Sequence, residues 1–112
     1  MQQAVRDTSR IYEVERRSYY AARPGFRIAE MQISPTQCVP WHHHNEVQDT
    51  FYVISGKIRV TTRDPDEEVC LSVGQTYTVR PGRPHRVTNA GDSSAVFLVL
   101  QGLGDYDFVG LS

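Results

Sequence analysis

Turn signals recur along this chain about every 6 to 12 residues, and no stretch between them holds a helical period. That combination excludes helix bundles and α/β layers. It leaves an all-β architecture, a sandwich or a closed barrel. The punctuation is Pro24-Gly25, Ser34-Pro35, Ser55-Gly56, Asp64-Pro65-Asp66, Gly74, Pro81-Gly82-Arg83-Pro84 and Ala90-Gly91-Asp92. Glycine supplies positive φ, and proline fixes φ while removing a donor, so each cluster ends a strand.

The segments between these turns read as about ten short strands. Residues 11–20 mix β-branched and aromatic side chains with charges and predict one or two strands. Phe26–Ile33 carries two interleaved apolar rows, Phe26/Ile28 and Ala29/Met31/Ile33. A strand apolar on both faces needs two partners, here a barrel interior and a second subunit. Residues 38–44 are extended because Pro40 disfavours the helical region for Val39. Residues 50–54 are wholly β-branched or aromatic, and residues 57–62 alternate with period 2, so the two predict a hairpin across Ser55-Gly56. Strands over 69–73, Thr76–Val79, His85–Asn89 and the apolar run 95–101 follow. Residues 102–112 read as a packed loop through Tyr106 and Phe108. Residues 1–10, polar and without period, read as a flexible arm, which leaves a single domain over 11–112.

The totals narrow the class. A chain of 112 residues supports one core and not two. With 39% hydrophobic and 22% charged residues it is globular and not disordered. A formal net charge of −1 gives no footprint for nucleic acid or a membrane surface. The longest apolar run falls far short of the ~20 residues that span a bilayer, and the start of the chain has no signal-peptide pattern, so a cytoplasmic protein is expected. Cys38 and Cys70 form no C-x-x-C pair and read as small apolar strand residues in a reducing compartment.

The chemistry gathers in two blocks. The first is Trp41-His42-His43-His44-Asn45-Glu46-Val47-Gln48-Asp49. Side chains alternate on a strand, so His42 and His44 share a face and His43 looks the other way. Two imidazoles on one face with a carboxylate beyond them make half of a metal site. The remaining histidine, His85, stands in the second block, which runs from Gly74 through Gly82 and His85 to Asn89.

With these blocks the chain resembles the cupin superfamily, whose motifs read G-x5-H-x-H-x3-4-E-x6-G and G-x5-P-x-G-x2-H-x3-N. The resemblance covers residues 36–89 by motif and the domain by strand order. Thr36 stands where the first glycine is usual, Arg80 at the proline position with Pro81 following, and Asp49 in place of the glutamate. The family implies an antiparallel double-stranded β-helix, a jelly-roll barrel of about six to ten strands. It also implies one divalent transition metal near the open end: iron, manganese, nickel, copper or zinc. Carried over by position, the ligands are His42, His44, Asp49 and His85. Aspartate is one methylene shorter than glutamate, which opens three possibilities. Asp49 ligates, or water or substrate takes its place in a three-histidine site, or Glu46 swings in from the loop. Gly56 and Gly82 would permit tight turns, and Asn89 would tie the end of the second block. Small cupins commonly dimerise through strands like Phe26–Ile33, which implies a homodimer.

Four further residues are candidates for contact with a substrate. Phe51 shares the parity of Asp49 and would wall the cavity. Arg59 could hold a carboxylate if its strand face points inward. Tyr77 could exchange a proton, and Trp41 could stack on a ring; packing or solvation is the ordinary role of each. Cys38 has the parity of His42. No residue is singled out as catalytic. The resemblance implies a metal-dependent enzyme acting on a small carbonyl- or carboxylate-containing molecule, of dioxygenase, isomerase, decarboxylase or lyase type. The alternative is a non-catalytic module that binds a sugar or organic acid.

Overall fold

The computed structural model describes residues 4–5 and 11–111, the first two by backbone alone. Six strands form one sheet in the order β1 (Ala4–Val5), β11 (Phe108–Gly110), β4 (Cys38–His43), β9 (His85–Asn89), β6 (Ile58–Thr62) and β7 (Glu67–Leu71). Five form the second, in the order β2 (Arg16–Arg23), β3 (Phe26–Ile33), β10 (Ala95–Gly102), β5 (Gln48–Ser55) and β8 (Thr76–Val79). Every pairing is antiparallel. No helix of the described residues is long and apolar enough to cross a membrane. The two facing sheets are the all-β architecture that the turn spacing predicts, arranged as the jelly roll that the resemblance implies.

Period-2 patterning explains the packing. On β5, Asp49, Phe51 and Val53 are buried while Gln48, Tyr52 and Ile54 are exposed. On β6, Ile58, Val60 and Thr62 are buried. On β10, Ala95, Phe97 and Val99 point inward between β3 and β5. Phe97 is fully enclosed, and burial of such a side chain stabilises by about 2–3 kcal/mol. The registers stack these residues in layers. One sheet carries the row Val39, Val87, Val60, and beside it the row His42, His85, Thr62. The other carries Ala29, Val99, Phe51, and beside it Arg27, Gln101, Asp49. The barrel is therefore apolar at one end and polar at the other.

Two expectations are corrected. Residues 50–54 and 57–62 are not a hairpin: β5 pairs with β10 and β8, while β6 pairs with β9 and β7. Ser55-Gly56 is instead a corner between sheets. Gly56 adopts φ +77°, and a Cβ there would meet the Ser94 carbonyl oxygen at 2.9 Å and the Ala95 Cα at 3.0 Å. Both strands alternate because both face one core, and that pattern does not distinguish a hairpin from a crossing. Residues 102–112 are not all loop, since β11 lies there and pairs with β4 and β1. Residues 11–15 precede β2, with Tyr12 and Val14 packed on the core. Of the predicted arm over 1–10, Ala4–Val5 pair with β11, and the rest lies outside the described residues.

Gly74 also has positive φ, at +82°, but a Cβ there would meet nothing within 4 Å. Gly74→Ala should therefore lose only the backbone term, about 1–2 kcal/mol. Gly56→Ala should lose at least ~1 kcal/mol more, because its methyl also overlaps backbone atoms. Denaturant unfolding of the two variants beside the parent chain checks the order.

Candidate metal centre

A break in β4 sets the first two potential ligands. Its register with β9 shifts between Val39 and His42, around Pro40, which has no N–H to give the ladder. Val39 and His42 consequently both face inward. Cys38 pairs with Thr88 outside the cavity, so counting parity through Pro40 fails. His44 lies just past the end of β4, and the Gly82 N–H donates to its carbonyl at 2.7 Å. That bond joins the two sequence blocks. His85 opens β9 after the rigid loop 81–84. The loop is clamped by the buried Arg83, which donates to the Arg63 carbonyl (3.1 Å), the Pro65 carbonyl (2.8 Å), the Tyr77 hydroxyl (3.3 Å) and Glu67 Oε1 (2.6 Å).

His42, His44, Asp49 and His85 are all buried, and one potential ligand atom from each lies within 4.8 Å of the others. Metal–ligand bonds of about 2.1 Å at right angles put neighbouring ligand atoms about 3.0 Å apart. Asp49 Oδ2 is 3.0 Å from His44 Nε2 and 2.8 Å from His85 Nε2. The shorter aspartate therefore reaches the imidazoles. Its second oxygen, Oδ1, accepts from Gln101 Nε2 at 2.9 Å. Glu46 is exposed and lies outside the cluster.

Each imidazole is oriented by the backbone. Nδ1 of His42 faces the Pro40 carbonyl (2.7 Å), Nδ1 of His85 the Arg83 carbonyl (2.9 Å), and Nδ1 of His44 the Asp107 carbonyl. A carbonyl only accepts, so all three Nδ1 atoms donate, and Nε2 is left as the atom that could face a metal. The Asp107 carboxylate in turn accepts from the Asn45 N–H at 2.9 Å and holds the loop that carries His44. Phe108 stacks on His42 at 4.3 Å, and Tyr106 leans on His44 at 5.3 Å.

A cavity of about 40 Å³ opens beside these groups. Phe51 lines it, and so do Tyr12, Arg17, Arg27, Gln101 and Tyr106, none of which the sequence had marked. Gln101 carried one faint signal, as the lone polar residue ending an apolar run. The other substrate candidates lie elsewhere. Arg59 faces outward and pairs with Glu68 at 3.4 Å. The Trp41 ring sits under Arg63 at 3.8 Å and Arg86 at 5.4 Å, in a separate surface depression. Tyr77 packs on the core, and its hydroxyl serves Arg83. Asn89 has the tying role expected of it: it donates to the carbonyls of Ile33 (3.1 Å) and Ser93 (2.8 Å) and accepts from Gly91 N–H.

A family model described as a cupin domain matches residues 29–101. The chain belongs to the cupin family. No curated protein sequence matches this cupin. Its structure is similar to an uncharacterised conserved protein with a double-stranded β-helix domain from Klebsiella pneumoniae. The TM-score is 0.76 at 24% identity, over 96% of this chain and 91% of that one. It is also similar to an oxalate oxidase, with TM-score 0.71 at 19% identity over 78% of this chain and 46% of that one. A third similar structure is the oxalate decarboxylase of Bacillus subtilis, with TM-score 0.71 at 28% identity over 78% of this chain. The cupin spans only 24% of that decarboxylase's length.

The electrostatics of the cupin centre fit a metal. Burial pushes the Asp49 carboxyl up, but the charges of His44 and His85 and their hydrogen bonds win, and it ends well below the usual carboxylate range. Burial pushes His44 down, yet the Asp49 charge and the bonds to Asp49 and Asp107 carry it above its ordinary value. Burial, with His85 and His44 nearby, holds His42 well below the ordinary imidazole range. These shifts favour an ionised carboxylate on Asp49 and a proton on His44. A cation bound at the same place would replace that proton.

Metal affinity should therefore rise with pH. His44 is raised above its ordinary value, so a metal there competes with a proton up to at least about pH 6.5. As pH rises through about 6.5 and beyond, affinity should climb by up to about tenfold per pH unit for each proton displaced and then level off. Chelator-competition titrations measure the slope, and calorimetry in buffers of different ionisation heat counts the proton released.

Proposed function

We propose that this cupin is a metal-dependent enzyme acting on a small carbonyl- or carboxylate-containing molecule. The observation that carries the reading is the orientation of three imidazoles by three backbone carbonyls, with Asp49 and an open cavity beside them. A purely structural metal is closed off by its protein ligands, whereas a catalytic one keeps an open position. Here about 40 Å³ remains next to the ligand atoms, room for a few water-sized groups. The three imidazoles and one carboxylate suit a first-row divalent ion. When bound, such an ion supplies Lewis-acid polarisation of a carbonyl or carboxylate oxygen.

The chain's own groups do the rest. Gln101 holds Asp49 Oδ1, so that a single carboxylate oxygen faces the imidazoles. Phe51, Phe97 and Val99 form an apolar wall that keeps bulk water from one side. Burial pushes the Tyr106 hydroxyl up, so it stays protonated and is suited to donate a hydrogen bond. The likeness at 28% identity to a decarboxylase of oxalate that has Mn(II) centres supports a small acid as substrate and manganese as the first metal to test.

Protein purified without chelator should carry about one metal per chain, as three histidines and a carboxylate bind with the affinity of a dedicated site. His85→Ala and Asp49→Ala should each lose most of it, and chelator should abolish turnover on a panel of keto acids, diketones and small dicarboxylates. Full metal content in both variants would sink the assignment. Metal binding without turnover on any of these would sink the enzymatic part.

We also propose that the working unit is a homodimer. The outer face of the five-stranded sheet leaves Phe26, Tyr52 and Leu100 about 40% exposed, beside half-buried Ile28 and Leu98. This apolar row supports a second copy as its cover. Sedimentation should give twice the 12.7 kDa chain mass. A monomer at micromolar concentration contradicts it.

A further inference from the structure

We infer that Arg17 is the residue that recognises an anion in the cavity, and that the ligand there is a small carboxylate with its charged end on this guanidinium. The inference deepens the proposed function and rests on its reading that a metal sits on the four ligands. The registers Arg17↔Met31 and Tyr19↔Ala29 place Arg17 on the inner face of β2, at the open edge of the five-stranded sheet. Its Cζ lies 5.0 Å from the Tyr12 ring centroid, and the side chain lines the same cavity as His42, His44 and Asp49. Nη2 of Arg17 is buried and has no hydrogen-bond partner. Among the described residues, no other unpartnered buried side-chain atom belongs to a residue lining this cavity.

A buried guanidinium N–H without an acceptor is rare, because desolvating a charged donor is unfavourable unless something replaces water. Among the described residues none supplies that replacement. Among the described residues, Asp49 is the only carboxylate lining the cavity, and its oxygens are taken by His44, His85 and Gln101. The second cavity cation, Arg27, lies over the Tyr106 ring at 3.7 Å and the Tyr19 ring at 4.9 Å. With a divalent ion on the ligands, positive charge in the cavity exceeds the single carboxylate, so the ligand that balances it is an anion. The volume of about 40 Å³ limits that anion to a few heavy atoms. Guanidinium matches the two oxygens of a carboxylate in a planar fork, which a neutral amide does not reproduce.

The test uses the full chain loaded with manganese and titrated with acetate, oxalate and neutral acetamide in a calorimeter. Acetate and oxalate should bind, and acetamide should bind at least about tenfold more weakly. Arg17→Gln should keep the metal content and the circular dichroism of the parent yet lose at least about tenfold in acetate affinity. Arg17→Lys, which keeps the charge without the fork, should lose less than Arg17→Gln. Equal binding of acetate and acetamide to the parent chain overturns the inference, even where Arg17→Gln does not fold. So does parent-like acetate affinity in a metal-replete Arg17→Gln, or a greater loss in Arg17→Lys than in Arg17→Gln. A parent chain that takes up no metal sinks the functional reading instead. The acetate preference and its dependence on Arg17 are then expected on the metal-free protein at lower affinity, and their absence there overturns this inference as well.

Discussion

A carboxylate buried inside a β-barrel is tolerable only when its charge is met, and Asp49 sits in that position. Much of the polar end of this molecule is arranged around it. Two imidazoles and one amide touch its oxygens, and each of those groups is fixed by something further away. His44 depends on the Asp107 carbonyl in the tail, and His85 on the loop that Arg83 clamps. Gln101 depends on its place in β10 between Arg27 and Asp49. Removing one partner leaves an uncompensated charge, so these contacts stand or fall together.

The tail turns this cluster into an enclosed site. β11 pairs with His42 and His43 of β4, and Phe108 just before that pairing covers the His42 ring. Tyr12 stacks on Phe108 at 5.9 Å from the segment before β2. Chain segments nearly a hundred residues apart therefore close one wall of the cavity. Ala4–Val5 extend the same sheet beyond β11, so the end of the chain that supplies this wall is not left as a sheet edge there.

How much of this was legible in the sequence depends on what kind of signal each part carries. β3, β8 and β9 begin and end where apolar period and turn residues place them, because both signals are local. The four potential ligands were legible because their spacing matches a family pattern, not because periodicity found them. Cys38 shares the parity of His42 yet faces away, because a bulge at Pro40 resets parity, and a bulge is a tertiary choice. Arg59 and Trp41 read like site residues but face away, where Glu68, Arg63 and Arg86 meet them. Arg17 was invisible for the opposite reason. On a strand rich in charge, an inward arginine looks like a solvated one, and only the register with Met31 separates the two. Arg27 shares the parity of Ala29 and Met31, but an arginine on an apolar row carries no mark of a site by itself.

The aspartate that departs from the family pattern shows how such a change is absorbed. A shorter side chain reaches the imidazoles with one oxygen, and Gln101 occupies the other. Asp49 is thus held to offer one oxygen, not two. A transition ion that prefers more than four ligands would then have positions left over. The cavity lies on that side, walled by Phe51 and the tyrosines and edged by Arg17 and Arg27. The substitution and the cationic rim work in one direction. On the proposed reading, the first leaves room at the ligand atoms, and the second favours negative charge in that room.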